Sequence, residues 1–395
     1  MIDLIVEETG SAITKAEREV QTSVRILHAA AGAARRITGQ THPSNIPGRF
    51  SVTIREPIGV VAGMTPFNVP LIKAVKHSAM PLVTGNACVL LPSEESPSAA
   101  GLLAQIYQAA GVPDGLFNVV CGNGAEIGDT LTTHEDVRLV SFTGSTRIGR
   151  HVQRLCGEHA KRVVLEMGGL NPLIVLADAD LSHAVRCAVL GGFLFQGQIC
   201  MASSRVFVAE EIFEPFLNAF VSAAKQLPTG DLRRPATVIG PIINVRQRDR
   251  IRRHLQNAVD GGAHVHCGNE WDGNRLLPTI LTDVAEDAQL HQEETFGPVV
   301  TVIPIRKADE AIARANSTSY GLCAAVHTND LASAMQFSRE LNFGMVHFNA
   351  ATIQEEAHVP FGGVGDSGFG REGTEVSVDD LTEWKWITVQ PPPAD

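Results

Sequence analysis

The sequence predicts an α/β fold: two doubly wound parallel-sheet units, the first Rossmann-like, plus a small β flap. Three observations predict it. From Arg55 onward, short β-branched runs alternate with helical stretches, and that alternation implies right-handed crossovers between parallel strands. The alternation resumes at NPLIVL (171–176), after a first series that one sheet already accounts for. Two isolated alternating runs, SVTIR at 51–55 and WKWITVQ at 384–390, lie outside both series and suit a protruding hairpin-like flap for subunit contact.

In chain order, PIGVVAGM (57–64), NACVLL (86–91), FNVV (117–120), VRLVSF (137–142) and RVVLEM (162–167) read as strands of the first unit. Helices are expected over about 70–83, 97–110, 124–132 and 147–158. The second unit takes strands at 171–176, 203–208, 298–303, 323–328 and 345–349, with helices over 180–195, 211–226 and 245–260. The expected division is therefore 1–38 with 57–166, then 167–373, with 39–56 and 374–395 as flap and tail. Met1 to Gly10 reads as the tail of an amphipathic helix that enters without a capping residue and ends at glycine, as though a segment preceded it. The terminal PPPAD is expected to be disordered.

Composition narrows the partners. With 395 residues, 44% hydrophobic and 19% charged, the chain can bury one or two sizeable cores. A net charge of −11 argues against a nucleic-acid surface or an anionic-membrane peptide, each of which demands a basic face, and favours small molecules. Seven scattered cysteines without a CxxC pair or Cys/His ligand spacing signal neither a disulfide framework nor a zinc site; no metal is expected, and a reducing cytoplasm fits. No apolar run approaches the ~20 residues that span a bilayer, and no basic leader opens the chain.

Open α/β sheets bind ligands beyond the carboxyl ends of their strands, so four loops matter most. In Thr65-Pro66-Phe67-Asn68 the proline fixes the turn, and the Asn68 amide is either a helix cap or a donor to an oxyanion. Phe142 to Gly149 is a strand-to-helix turn whose backbone N–H groups, around Gly144 and Ser145, can face a pyrophosphate or simply begin a capped helix. Glu166 ends a strand before Met167-Gly168-Gly169; among apolar residues its pKa would rise, which suits a general base, whereas at the surface it would be a salt-bridged glutamate. Cys200 follows Gln196-Gly197-Gln198-Ile199, turn-forming residues that let a thiol project into a cleft; the other six cysteines read as inert small hydrophobes.

Taken together and in order, these loops resemble the aldehyde dehydrogenase superfamily over nearly the whole chain. The resemblance is carried by TPFN (65–68), LPSE (91–94), FTGST (142–146), EMGG (166–169), GQIC (197–200), EETFGP (293–298), TSYGL (318–322) and PFGGVGDSGFGREG (360–373). It implies Cys200 as nucleophile, Glu166 as general base, and Asn68 as oxyanion donor with the Cys200 backbone N–H. It further implies an NAD cofactor, with NADP as the other option, held in the first unit by Thr65, Pro66, Phe67, Glu94, Gly144 and Ser145 and by Glu294 and Phe296 at the nicotinamide ribose. GQICM, GGVGDSGFGREG and LTEWKWITVQ look most like the benzaldehyde and vanillin dehydrogenase branch. That branch implies an aromatic aldehyde, a tunnel lined by Val69, Lys76, Ile199 and Met201, and a homodimer or homotetramer built on the flap. Lys76 is expected to favour an aldehyde bearing a phenolate or carboxylate.

The chain departs from the family's pattern at Leu91 and Leu170, where lysines are usual, so an ammonium contact to the adenosine ribose is not expected. Glu94 would repel a 2′-phosphate and leans towards NAD. The segment that usually precedes the helix ending at Gly10 is absent, which is expected to expose apolar surface and weaken the cofactor unit. Two alternatives accompany hydrolytic oxidation: a CoA-acylating semialdehyde dehydrogenase, a branch that generally lacks the glutamate found here as Glu166, and a catalytically silent relative serving as a binding or structural protein.

Overall fold

The computed structural model describes residues 1–392; of the terminal PPPAD, residues 393–395 and the disorder expected for them lie outside the described residues. Two sheets organise the chain. The first has six strands in the order Gly368–Phe369, Arg162–Glu166, Val137–Thr143, Val60–Met64, Ala87–Leu91, Phe117–Val119, all parallel except the first. The second has seven, in the order His264–Cys267, Thr279–Thr282, Val299–Ile305, Ser203–Ala209, Asn171–Val175, Cys323–His327, Met345–Phe348, with only the His264–Cys267 edge antiparallel. Helices cover both faces of each, as parallel sheets require. Every residue of Asn171–Val175 is buried, which is why Leu173, Ile174 and Val175 follow one another without a polar residue between them.

On one face of the first sheet, helices Ile13–Ala33, Pro70–Val83 and Ser98–Ala109 build a core around Ala30, Val75, Leu90 and Leu103. On the other, Thr146–Glu158 packs Val152 and Cys156 against Met64, Val140 and Phe142. The second sheet is covered by Leu181–Phe193 and Phe213–Lys225 on one face and by Ala308–Asn316 and Leu331–Glu340 on the other.

Several elements go beyond the sequence reading. The 21-residue helix Ile13–Ala33 buries Lys15, Ala16, Glu19, Ser23, Ile26, Ala30 and Ala33, a stripe with a single large apolar residue, so its periodicity is invisible as hydrophobicity. The opening helix runs Ile2–Thr9 and ends at Gly10 in the left-handed region, as expected. Strands His264–Cys267 and Thr279–Thr282 and helices Gln289–Gln292, Ala308–Asn316, Leu331–Glu340 and Thr374–Leu381 are additional. Gly368–Phe369, read as part of the second unit, pairs with Arg162–Glu166 on the first sheet.

Phe50–Pro57 pairs antiparallel with Thr382–Val389 along its full length, with Gln40–Thr41 at its other edge. Arg162 ties this flap to the first sheet: it donates to the carbonyl oxygens of Asp379, Asp380 and Thr382 and lies 2.6 Å from the Glu383 carboxylate. Trp384 and Trp386 stand exposed on the flap. Among the described residues no helix is long and apolar enough to cross a membrane.

Candidate active site

Cys200 sits on a turn with unusual backbone geometry. Helix Leu181–Phe193 stops, and Phe195, Gln196 and Gly197 follow in the left-handed region with φ of +48°, +44° and +67°. For the two residues with a side chain this costs roughly 1–3 kcal/mol each, so the surroundings must impose it. They do so through buried hydrogen bonds: Gln196 donates to the Pro241 carbonyl at 2.8 Å and accepts from the Gly240 N–H at 3.1 Å, and Gln198 accepts from the Ile243 N–H at 3.0 Å. Gly197 is obligatory, because a Cβ there would run into the Gly297 carbonyl. The result delivers a half-buried thiol against Phe67, Phe195, Ile199, Met201, Leu322 and Phe361.

Asn68 is 3% exposed and does not cap the neighbouring helix Pro70–Val83, whose first turn has no cap from Val69 either. Its amide donates instead to the Gln198 carbonyl at 2.9 Å, anchoring it on the cysteine turn. Glu19 fills the capping role, accepting from the Leu71 N–H at 2.9 Å, while its partner Lys15 reaches the Asn68 carbonyl at 2.5 Å and lies over the Phe195 ring.

Glu166 ends its strand fully inside the protein, 2% exposed, which excludes a surface salt bridge. Neither of its oxygens has a hydrogen-bond partner of good geometry, yet carboxylate and Cys200 thiol stand close enough to alter each other's acidity. Burial, then the Glu166 charge, pushes the thiol well above its ordinary range, with Lys73 pulling the other way. Burial likewise raises Glu166, opposed first by Lys73. Lys73 Nζ is 3.3 Å from Glu166 and 2.7 Å from Glu372. Burial alone would raise Glu372, but Lys73 and Lys76 outweigh it and hold that carboxyl well below the usual carboxylate range.

Lys76 requires a correction. Its ammonium is paired with both Glu355 and Glu372 and sits over the Phe361 ring at 4.2 Å, so it offers no unmatched cation to an anionic aldehyde. A long side chain inside the protein needs paired charge, and here the pairing is internal. Of the other expected tunnel residues, Ile199 and Met201 pack around the thiol, whereas Val69 packs partly against the core of the first sheet.

The cofactor-side residues gather along the ends of the first sheet. Ser145 begins helix Thr146–Glu158 but makes no side-chain cap, and it is exposed, so the N–H groups of Thr146 and Arg147 at the helix start remain open to an anion. A Cβ on Gly144 would strike the Phe142 ring. Thr65 is buried with an unpartnered hydroxyl, Pro66 follows it half-buried, and Glu94 is exposed. Phe67 and Phe296 meet edge to face at 5.9 Å, Phe296 itself at φ +54°. Glu294 accepts from the Gly169 N–H at 3.0 Å, and burial lifts its pKa to about 7 against that hydrogen bond. Leu91 turns into the apolar layer with Met64 and Phe142, and Leu170 is fully buried. An open helix start, an exposed carboxylate and an unsatisfied hydroxyl in one array fit a dinucleotide.

The Aldehyde dehydrogenase family model matches residues 1–387. The chain belongs to the aldehyde dehydrogenase family. A benzaldehyde dehydrogenase of Bacillus subtilis is 41% identical to it over 391 residues, 99% of this chain and 81% of the relative. A crystal structure of a salicylaldehyde dehydrogenase from Pseudomonas putida G7, complexed with salicylaldehyde, superposes with a TM-score of 0.95 at 37% identity, covering 99% of this chain and 82% of that one. A betaine aldehyde dehydrogenase from Staphylococcus aureus in complex with NAD+ does so with 0.95 at 32% identity, covering 100% and 79%. This aldehyde dehydrogenase is thus an NAD(P)-dependent enzyme.

Sequence reasoning missed Lys73, Glu372, Lys15 and Glu19. Glu372 lay inside a quoted string, PFGGVGDSGFGREG, but as one acid among glycines. Lys73 is three residues before Lys76 and therefore on the same helix face, a spacing that would have paired them.

Proposed function

We propose that this dehydrogenase oxidises an aromatic aldehyde to its carboxylic acid with Cys200 as nucleophile, Glu166 as general base and Asn68 as oxyanion donor. The observation that carries the reading is the buried Glu166 carboxylate, paired with Lys73, beside the Cys200 thiol. Glu166 takes the thiol proton, and the thiolate sulfur adds to the aldehyde carbon to give a thiohemiacetal oxyanion. The Asn68 amide and the Cys200 backbone N–H stabilise that oxygen. NAD(P)+, when bound, supplies the acceptor for the hydride that leaves the same carbon. Glu166 then removes a proton from water, whose oxygen attacks the thioester and expels the sulfur. Between the two steps Glu166 must release the thiol proton to solvent, and the Lys73 ammonium, 3.3 Å from its carboxylate and 2.7 Å from Glu372, favours that return to the ionised form.

Thr65, Pro66, Phe67, Glu94, Gly144 and Ser145 would hold the dinucleotide on the first unit, and Glu294 with Phe296 the nicotinamide ribose. Glu94 favours NAD over NADP, because a carboxylate repels a 2′-phosphate. Aromatic substrates are supported by the apolar packing of Phe67, Ile199, Met201 and Phe361 around the thiol and by the activities of the benzaldehyde and salicylaldehyde relatives. The exposed tryptophans of the flap support assembly into a homodimer or homotetramer, and seven unpaired cysteines support a cytoplasmic location.

Purified protein is offered a panel of aromatic and aliphatic aldehydes with NAD or NADP, with and without CoA, and reduced cofactor and acyl product are followed. Acid from aromatic aldehydes without CoA supports the proposal. A CoA thioester would replace it with acylating chemistry, and absence of turnover with either cofactor would replace it with a silent binding protein.

A further inference from the structure

The second sheet has two ends, and the chemistry above uses only one. Cys200 lies at the amino ends of its strands, where the Asn171 side chain donates to the Cys200 carbonyl at 2.7 Å. The carboxyl ends, where open α/β sheets usually bind ligands, lie at Val175 and His327, which pair in register. There, helix Leu181–Phe193 presents His183 and Cys187, one turn apart and so on one face, towards His327.

The donor atoms of these three residues all lie within 4.8 Å of one another. Cys187 Sγ is 3.6 Å from His183 Nε2, and the His183 and His327 rings meet edge to face at 5.7 Å. His327 is 1% exposed, and its Nε2 has no hydrogen-bond partner. Buried polar atoms are normally satisfied, so an orphaned nitrogen on an imidazole grouped with a thiol and a second imidazole calls for a ligand. The Asn349 carbonyl, which accepts from His183 Nε2 at 2.9 Å, adds an oxygen to the set.

We propose that His183, Cys187 and His327 form a binding site for a borderline-soft divalent cation of the zinc type, with the Asn349 carbonyl or water completing four-coordination. Two imidazoles and a thiolate select zinc or cobalt over magnesium or calcium, which prefer oxygen donors. Binding displaces the Cys187 thiol proton to solvent and puts metal on His183 Nε2 in place of its hydrogen bond. The ion would staple the start of helix Leu181–Phe193, whose far end leads into the cysteine turn, to the carboxyl end of strand Cys323–His327.

Cobalt(II) is the probe, titrated into protein carrying Cys200→Ser so that the nucleophile contributes no thiolate signal. The expected result is a thiolate-to-cobalt charge-transfer band with the intense visible bands of four-coordinate cobalt, saturating at one equivalent and bleached by zinc. Cys187→Ser should abolish the charge-transfer band, and His327→Gln should weaken binding about tenfold or more. Both substitutions, made with Cys200 intact, should leave aldehyde turnover unchanged, which shows that the fold survives. A titration of the Cys200→Ser protein that yields no charge-transfer band overturns the proposal outright, and so does a band that persists in both variants.

Discussion

Two turns of this molecule do comparable work by opposite means. The Ser145 turn leaves its polar groups open: no side chain caps the helix, and the residue faces solvent. The Cys200 turn leaves nothing to choice, since Gln196 and Gln198 are completely buried, their backbone is forced left-handed or anchored, and their side chains bond to the 240–243 loop. A turn proposed to grip an exchangeable anion keeps its hydrogen bonds free for it. A turn that must aim one sulfur atom commits its hydrogen bonds to the protein around it.

That contrast can be broken at graded cost. Glu166→Gln, which keeps the shape but removes the base, should lower steady-state acid formation by about 100- to 10,000-fold while far-ultraviolet circular dichroism is unchanged; retained turnover would remove Glu166 from the mechanism. Asn68→Ala should reduce kcat by ~100- to 1,000-fold, or about 2.7–4 kcal/mol, and it also frees the Gln198 carbonyl, so a crystal structure of the variant should show the cysteine turn displaced. Gly197→Ala puts a side chain at φ +67° against the Gly297 carbonyl and should cost about 2–4 kcal/mol in urea denaturation, whereas Ser145→Ala at the open turn should leave the denaturation midpoint in place.

Smaller effects sharpen the comparison. Glu294, lifted to about 7 by burial, would accept more strongly from the proposed ribose hydroxyls when ionised, so as its charged form grows with pH rising through 7 cofactor affinity should rise with it. Calorimetric titration from pH 6 to 8 measures this, and Glu294→Gln should flatten the profile. Least of all, Lys76→Ala should change the preference between neutral and phenolate-bearing benzaldehydes by less than about threefold, because its charge is already matched by Glu355 and Glu372.

The contrast also explains what could be read from the sequence. TPFN, FTGST, EMGG and GQIC are short strings at strand and helix ends, so Asn68, Ser145, Glu166 and Cys200 could be singled out from the sequence, while the roles proposed for them come from the family resemblance. The parallel strands were legible for a similar reason, being unbroken apolar runs between turns. Lys73 and Glu372 meet across 299 residues, and no local pattern announces such a pair. Lys15 and Glu19 have the spacing of an ordinary solvated helix pair, and only the packing of Ile13–Ala33 against Pro70–Val83 buries them. The error at Lys76 has the same origin: a lysine beside a tunnel suggests a free cation until the acids from distant loops are placed around it.

The left-handed segment before Cys200 also bears on the order of assembly. Gln196 is held by carbonyls 186 and 45 residues away along the chain, at Gly10 and Pro241, so its conformation has no local support and must wait for long loops to close. During refolding, protection of this thiol from alkylation should therefore lag behind recovery of helical signal. An incompletely folded chain would carry a sulfur that cannot yet be aimed, and the enzyme would acquire its reactivity only when nearly everything else is in place.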